Sequence, residues 1–521
     1  MMSEVKRVIL LAASLLVLAF SVGGFPATAR AQEPNEQMLL HPPANSWPSY
    51  HGDYSGRRHS SLVQITPKNV KSLTLAWSFQ TNQTIPIKAS PLVVDGVLYF
   101  TAPDNVWAVD ARSGHQIWRF TYPRSQGEHI GQRGVGMYKG SVFFLTPDAH
   151  LICLNAKDGM IRWKVEIADV TKGYWTSMAP LVVGNHVLVG ISGDFDNLSG
   201  FLRAVDPETG ATQWQWDSTP PAGTANQTTG GMTWMTGTYD PELKLVYWGT
   251  GNPTPVLNGS TRPGDDLYTC SIVALNPETG KLVWSFQPSP HDTHDWDAVE
   301  TPMLVDADFQ GKPRKMLMQA SRNGYFFVLD RTNGKSLLTV PFGPVNWTLG
   351  VDKQGRPIPN PAKEPAPDGR LIAPDEGGVT NYRAPSFDTK NRLFIVSAHP
   401  SWSIYFSKPA DGLYGWAGAD YGVWGTGVIE AIDYQTGNIR WRHDLGEESG
   451  AGILTTDSGL TFSGDAHGNF LALDSTDGKT LWHAGSGSHI ESSPITYELD
   501  GRQYVVNSSG GVLFAWALPE Q

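Results

Sequence analysis

Cysteine is almost absent from this 521-residue sequence: Cys153 and Cys270 are the whole complement. Each sits in a hydrophobic run of its own, which predicts buried free thiols rather than a disulfide framework. No C-x-x-C-H occurs, so no haem is attached covalently to this chain. Lys and Arg form no run and no stripe with aromatics, and the formal net charge is −11. That balance excludes nucleic-acid binding as the main task. Long apolar runs are also missing, apart from one at the start. There Lys6 and Arg7 precede the apolar run 8–18, and a small-residue region ends in Ala29-Arg30-Ala31. This pattern predicts a signal peptide over residues 1–31, cleaved before Gln32. The run is short for a membrane span. The mature chain, 32–521, is therefore expected to be periplasmic or secreted, with no membrane span after cleavage.

What the sequence has in quantity is glycine (55) and tryptophan (19). They recur together. AVDARSGHQIW ends at Trp118, LNAKDGMIRW at Trp163, AVDPETGATQW at Trp214, ALNPETGKLVW at Trp284, AIDYQTGNIRW at Trp441 and ALDSTDGKTLW at Trp482. A degenerate copy, VLDRTNGKSLL, carries Leu338 in the Trp position. Self-similarity at a spacing of roughly forty residues marks a repeat architecture. Each copy reads as strand, tight turn, strand, with the Gly supplying the turn's positive φ. The Trp pins each unit to its neighbour, as in a β-propeller blade. An eighth copy is split. VLFAWALPEQ closes the chain without a partner turn, and NVKSLTLAWSF, with Trp77 as anchor, supplies the other half. The expectation is an all-β, eight-bladed β-propeller with Trp-anchored blades, closed by N- and C-terminal strands that leave no free edge. It forms one domain over 32–521. The wide gaps before Trp284 and Trp441 read as loop insertions, and 357–375, rich in Pro, Asp and Gly, reads as surface loop.

Four segments break the blade pattern: Gly230-Gly231-Met232-Thr233-Trp234, Gly249-Thr250-Gly251-Asn252-Pro253, Pro290-His291-Asp292-Thr293-His294-Asp295-Trp296-Asp297 and Ser321-Arg322-Asn323-Gly324. Such a density of carboxylates needs a cation or solvent to compensate it. Asp295 and Asp297 lie two apart, and in an extended segment they point the same way. With the Asn252 carbonyl they make a hard oxygen site suited to Ca²⁺ or a similar ion. A solvated acidic loop is the alternative. Arg322 and Arg133 are candidate anion clamps. Trp234 lies outside the anchor position, so it either offers a flat face to a planar ligand or packs in the core.

Together these segments resemble the quinoprotein alcohol dehydrogenases, eight-bladed propellers that use pyrroloquinoline quinone (PQQ) and a metal ion in the periplasm. The resemblance runs from about Trp47 to the C-terminus. It implies that Trp234 stacks on PQQ, that Asn252 ligates the metal and that Asp295 is both catalytic base and metal ligand. It further implies that Arg322 polarises the quinone oxygens, and that Arg133, Ser177 and Ser192 bond the PQQ carboxylates. Asp297 matches the extra acidic position that accompanies lanthanide use, so the ion is Ca²⁺ or a lanthanide. The implied partners are a small alcohol-type substrate and a soluble electron acceptor such as cytochrome c.

The chain departs from the family in four places. Gly127-Glu128-His129 stands where the family carries two adjacent cysteines. Phe195, flanked by Asp194 and Asp196, stands at the Glu that ligates the metal, which makes Asp194 the candidate substitute. Lys88 stands where a Glu is expected, and is the candidate partner of a PQQ carboxylate. His294 replaces a Trp. These losses leave open a PQQ-free propeller acting as a binding or assembly scaffold. A third reading is a sugar-binding propeller, its groove lined by the aromatics of WSIYF and YGWAGADYGVWG.

Overall fold

The computed structural model describes residues 36–195, 197–220, 228–409 and 415–520. The predicted signal peptide and Asp196 lie outside them. Among the described residues, eight antiparallel sheets contain four strands in the same up-and-down order, and one of them gains a fifth strand at its edge. The sheet Leu92–Val94, Val97–Ala102, Asn105–Asp110 and Gln116–Thr121 is representative. Its inner strands are buried except at their end residues Val97 and Asp110, while the outermost carries mostly exposed residues around the buried Trp118. The closing sheet joins the two ends of the chain. Thr74–Gln80 pairs antiparallel with Val512–Ala517, placing Trp77 opposite Ala515.

The repeated Gly and Trp have one joint cause. In six of the sheets the Trp lies across the Gly turn of the next. A Cβ on Gly280 would stand 2.5 Å from the Trp214 ring, and one on Gly478 would stand 2.5 Å from Trp441. The indole N–H then donates to a carbonyl in that turn: Trp77 to Ala111 (3.1 Å), Trp118 to Ala156 (2.9 Å), Trp214 to Pro277 (2.7 Å) and Trp441 to Ser475 (3.0 Å). Burying the ring requires its one donor to be satisfied, and the turn supplies the acceptor. In the degenerate copy Val340 fills the gap instead, with its Cγ2 against the Cβ position of Gly437. Trp482 packs edge-on against Trp516 of the closing sheet, ring centres 5.2 Å apart.

Near the start, 47–58 crosses between sheets. Trp47 bridges to Val93. The buried Arg58 guanidinium donates to Tyr50 O and Pro494 O (both 2.6 Å), Ser90 Oγ (3.0 Å) and Ile453 O (3.3 Å). Two local expectations change. The 357–375 stretch is not all loop: Pro357–Pro359 and Arg370–Ile372 are strands, the latter paired with Ser401–Ser407. Both cysteines are buried and free, but Cys270 lies in a turn before the strand Ile272–Leu275, not within it.

Candidate active site

In an antiparallel pair, residues just before the first strand and just after the second share one end. Lys88, Arg133, Ser177, Trp234 and Asp297 each precede the first strand of a sheet, whereas Ser192, Asn252 and Arg322 each follow a second strand. The topology therefore gathers residues from five sheets at one end of the molecule.

Arg322 is the centre of the group. Its Nη2 donates to Asp295 Oδ2 at 2.6 Å and to the Glu376 carbonyl at 2.7 Å, and its Nη1 lies 3.1 Å from Asp297 Oδ2. Asp297 also accepts from Trp234 Nε1 (2.7 Å) and from the Asn252 backbone N–H (2.5 Å). Asn252 turns its amide nitrogen to Pro253 O at 3.1 Å. The two Asp side chains converge, though not because the segment is extended: Asp295 has φ +69. Asp292 folds the loop by accepting from the N–H groups of His294 (3.2 Å) and Trp296 (3.1 Å). His294 stacks on Trp296 with ring centres 4.1 Å apart.

Electrostatics here are unbalanced. Burial holds the Asp295 carboxyl well above the usual carboxylate range; Arg322 opposes this, and Asp297 and Glu376 add to it. Burial raises Asp297 as well, against Arg322 and the Trp234 and Asn252 hydrogen bonds. One guanidinium faces two buried carboxylates, with a third, Glu376, at 3.7 Å. An added cation relieves that repulsion.

The opposite charge prevails alongside. Arg133 is buried, has no carboxylate partner among the described residues, and donates through Nη1 to Ser177 Oγ at 2.5 Å. Its Nε and the Ser192 hydroxyl are buried without hydrogen bonds to the described residues. The guanidinium lies 5.0 Å above the half-buried Trp234 ring. Lys88 pairs with Glu491 at 3.0 Å.

Asp194 stands apart: among the described residues no hydrogen bond or ion pair joins its side chain to Arg322, Asp295 or Asp297. It is exposed on a cavity of about 1050 Å³ that Glu128, Trp175, Phe195 and Trp416 also line. The protein around it, then Asp297, Glu128 and Glu376, push its carboxyl up to about 6. Phe195 instead packs against Gly173. His129, in the place of the cysteine pair, bonds Asp104 at 2.9 Å. Glu376 was not anticipated from the sequence; no motif spacing links it to Arg322.

A family model described as the β-propeller domain of glucose, ethanol and alcohol dehydrogenases matches residues 47–351. The quinoprotein alcohol dehydrogenase PedH of Pseudomonas putida is 34% identical over 99% of this chain and 94% of its own. The chain belongs to the PQQ-dependent alcohol dehydrogenases. A lanthanide-dependent methanol dehydrogenase of Methylacidiphilum fumariolicum is 31% identical over 97% of this chain and 91% of its own. Among solved structures, a europium-containing methanol dehydrogenase superposes with TM-score 0.86 at 28% identity, covering 93% of this chain and 100% of the other. The quinohemoprotein alcohol dehydrogenase of Comamonas testosteroni superposes with TM-score 0.85 at 31% identity, covering 92% and 82%. A model for the outer membrane assembly factor BamB matches 425–517, and a BamB structure from Moraxella catarrhalis, 16% identical with TM-score 0.52, shares the fold alone.

The residues of this quinoprotein fit both groups the family uses. Arg133, buried without a carboxylate, suits an anionic ligand, and the Asp295–Asp297 pair, underneutralised by Arg322, suits a cation. No three His, Cys, Asp or Glu side chains among the described residues converge on a metal by themselves. A bound ion therefore needs donors beyond these carboxylates, such as the Asn252 carbonyl and the ligand itself.

Proposed function

We propose that this chain is a periplasmic dehydrogenase. It oxidises an alcohol or related hydroxyl substrate with PQQ and Ca²⁺ or a lanthanide, and passes electrons to an external acceptor such as a soluble cytochrome c. The observation that carries this reading is the convergence of Asp295 and Asp297 on Arg322. A scaffold has no structural use for two buried carboxylates that share one guanidinium. The relatives add support: one is lanthanide-dependent, and another is named 1-butanol dehydrogenase (cytochrome c).

When bound, PQQ supplies the hydride acceptor and the metal a Lewis acid. The chain's own residues do the rest. Asp295 takes the hydroxyl proton of the substrate as the adjacent carbon gives up hydride. Arg322 holds the Asp295 carboxylate in place and stabilises negative charge that develops on oxygen. Trp234 and the Asn252 N–H orient Asp297 as a metal ligand, with the Asn252 carbonyl beside it. Asp194, which would have to turn in from the neighbouring cavity, would complete the ligand set in place of the absent Glu. Ser177, Ser192, Arg133 and Lys88 hold the cofactor carboxylates.

The test is a titration of the purified chain with PQQ, with Ca²⁺ and separately with La³⁺. Tryptophan fluorescence reports binding, and dye reduction with a panel of alcohols reports turnover. Metal-dependent binding with turnover is expected. No binding with either ion returns the chain to the scaffold reading.

A further inference from the structure

Three cations surround one aromatic ring beside the site. The Arg133 guanidinium lies 5.0 Å from the centre of Tyr382, the Lys88 ammonium 5.5 Å and the Arg383 guanidinium 5.7 Å. They come from the loops before the first strands of three different sheets. Cation–π attraction offsets only part of the cost of such a contact. It does not account for three like charges brought together where water is scarce. Among the described residues Lys88 has Glu491, Arg133 has no carboxylate, and Arg383 is matched only in part. Its Nη2 donates to Glu448, but its Nε and Nη1 are unpartnered in a side chain of a residue only 7% exposed.

We propose that Arg383 is a cofactor-binding residue, and that with Arg133 and Lys88 it forms a cradle of three cations around Tyr382 for the three carboxylates of PQQ. This rests on the reading of the chain as a PQQ enzyme. Unpartnered N–H groups on a buried guanidinium are satisfied by a carboxylate. The cradle also gives a use to Lys88, a cation where the family has a Glu. A cofactor held by its carboxylates needs less from the missing cysteine pair on its face.

The experiment measures PQQ affinity by fluorescence quenching, with and without Ca²⁺, for the wild-type chain, Arg383→Met, Arg383→Lys and Glu448→Gln. Removing one charge-assisted contact weakens PQQ binding by about tenfold or more. Arg383→Lys recovers part of the loss. The trimethyl ester of PQQ, which carries no carboxylate charge, binds wild type and Arg383→Met alike. Glu448→Gln keeps the guanidinium and removes its counter-ion, so it tightens PQQ binding. Wild-type affinity in a folded Arg383→Met overturns the assignment. So does unchanged affinity in Glu448→Gln, however Arg383→Met folds. Failure of the wild-type chain to bind PQQ overturns the proposed function itself, and is distinguished by that.

Discussion

Trp234 donates its indole N–H to Asp297 Oδ2 at 2.7 Å, across 63 residues of sequence. The ring read as a stacking surface is thus also a positioning group for a carboxylate. The two uses separate in Trp234→Phe, which keeps a ring face and loses the donor. Partners that orient a metal ligand typically contribute about 10–100-fold to metal affinity. Trp234→Phe is expected to bind PQQ within a few-fold of wild type and to bind Ca²⁺ about tenfold more weakly. Parallel titrations measure both, and equal losses of the two would mean that the hydrogen bond has no separate role.

Asp295→Asn tests the base. The change removes one of two buried like charges on Arg322, so the fold should not suffer; the melting temperature is expected to match wild type. Turnover should fall by about 10²–10⁴-fold, the usual contribution of a positioned general base. A folded, active Asp295→Asn protein removes Asp295 from that role.

Asp297→Ala tests ion choice. A trivalent ion gains more than Ca²⁺ from each added carboxylate, because the attraction scales with charge. Loss of Asp297 is expected to weaken La³⁺ more than Ca²⁺. Equal losses in a competition titration would leave no reason to connect this residue with lanthanides.

The Gly–Trp contact makes a stability prediction. Gly280 has φ +67, and a methyl there would meet the Trp214 ring at 2.5 Å. Gly280→Ala carries both the backbone penalty and the clash, and should cost about 1–3 kcal/mol. Urea unfolding followed by fluorescence measures this directly. A neutral result would show that the Trp rings shift freely, against their role as pins.

The blades were legible because their cause is local: each Asp-x-x-x-Gly turn and its Trp lie within one short segment, repeated. Closure was legible because Trp77 and the C-terminal strand are each half of that same segment. Asp295, Asp297 and Arg322 were legible as motifs, but their meeting was not, because the loops join only through the ring of sheets. Tyr382, Arg383 and Glu376 left no pattern at all. Glu376 takes its meaning from Arg322, and Tyr382 and Arg383 take theirs from Lys88 and Arg133, some 250 to 300 residues earlier in the chain. Asp295 misled in detail, since its left-handed backbone depends on loop packing that alternation of side chains does not predict. The strand Arg370–Ile372 was hidden because its partner lies in a separate segment, Ser401–Ser407.

Glu430 carries a pH dependence that is independent of the site. Its side chain is wholly buried, with Arg442 alongside at the surface. Burial pushes the carboxyl up to about 7, against the opposing pull of Arg442. In the unfolded chain the same group ionises near its ordinary value, about 4.3. Between those two values the fold retains a proton that the unfolded chain has released. Stability from this group is therefore fully present below about pH 4 and is lost as pH rises through about 7. Glu430→Gln has no proton to lose and keeps an acceptor for Arg442. The variant and wild type are expected to unfold alike at pH 4.5, whereas at pH 8 the variant should be more stable by about 2–3 kcal/mol. Calorimetric melting at both pH values measures the difference. A constant offset at the two values would place the Glu430 proton equally in the folded and unfolded chain, and the buried carboxyl would then have to be ionised against Arg442.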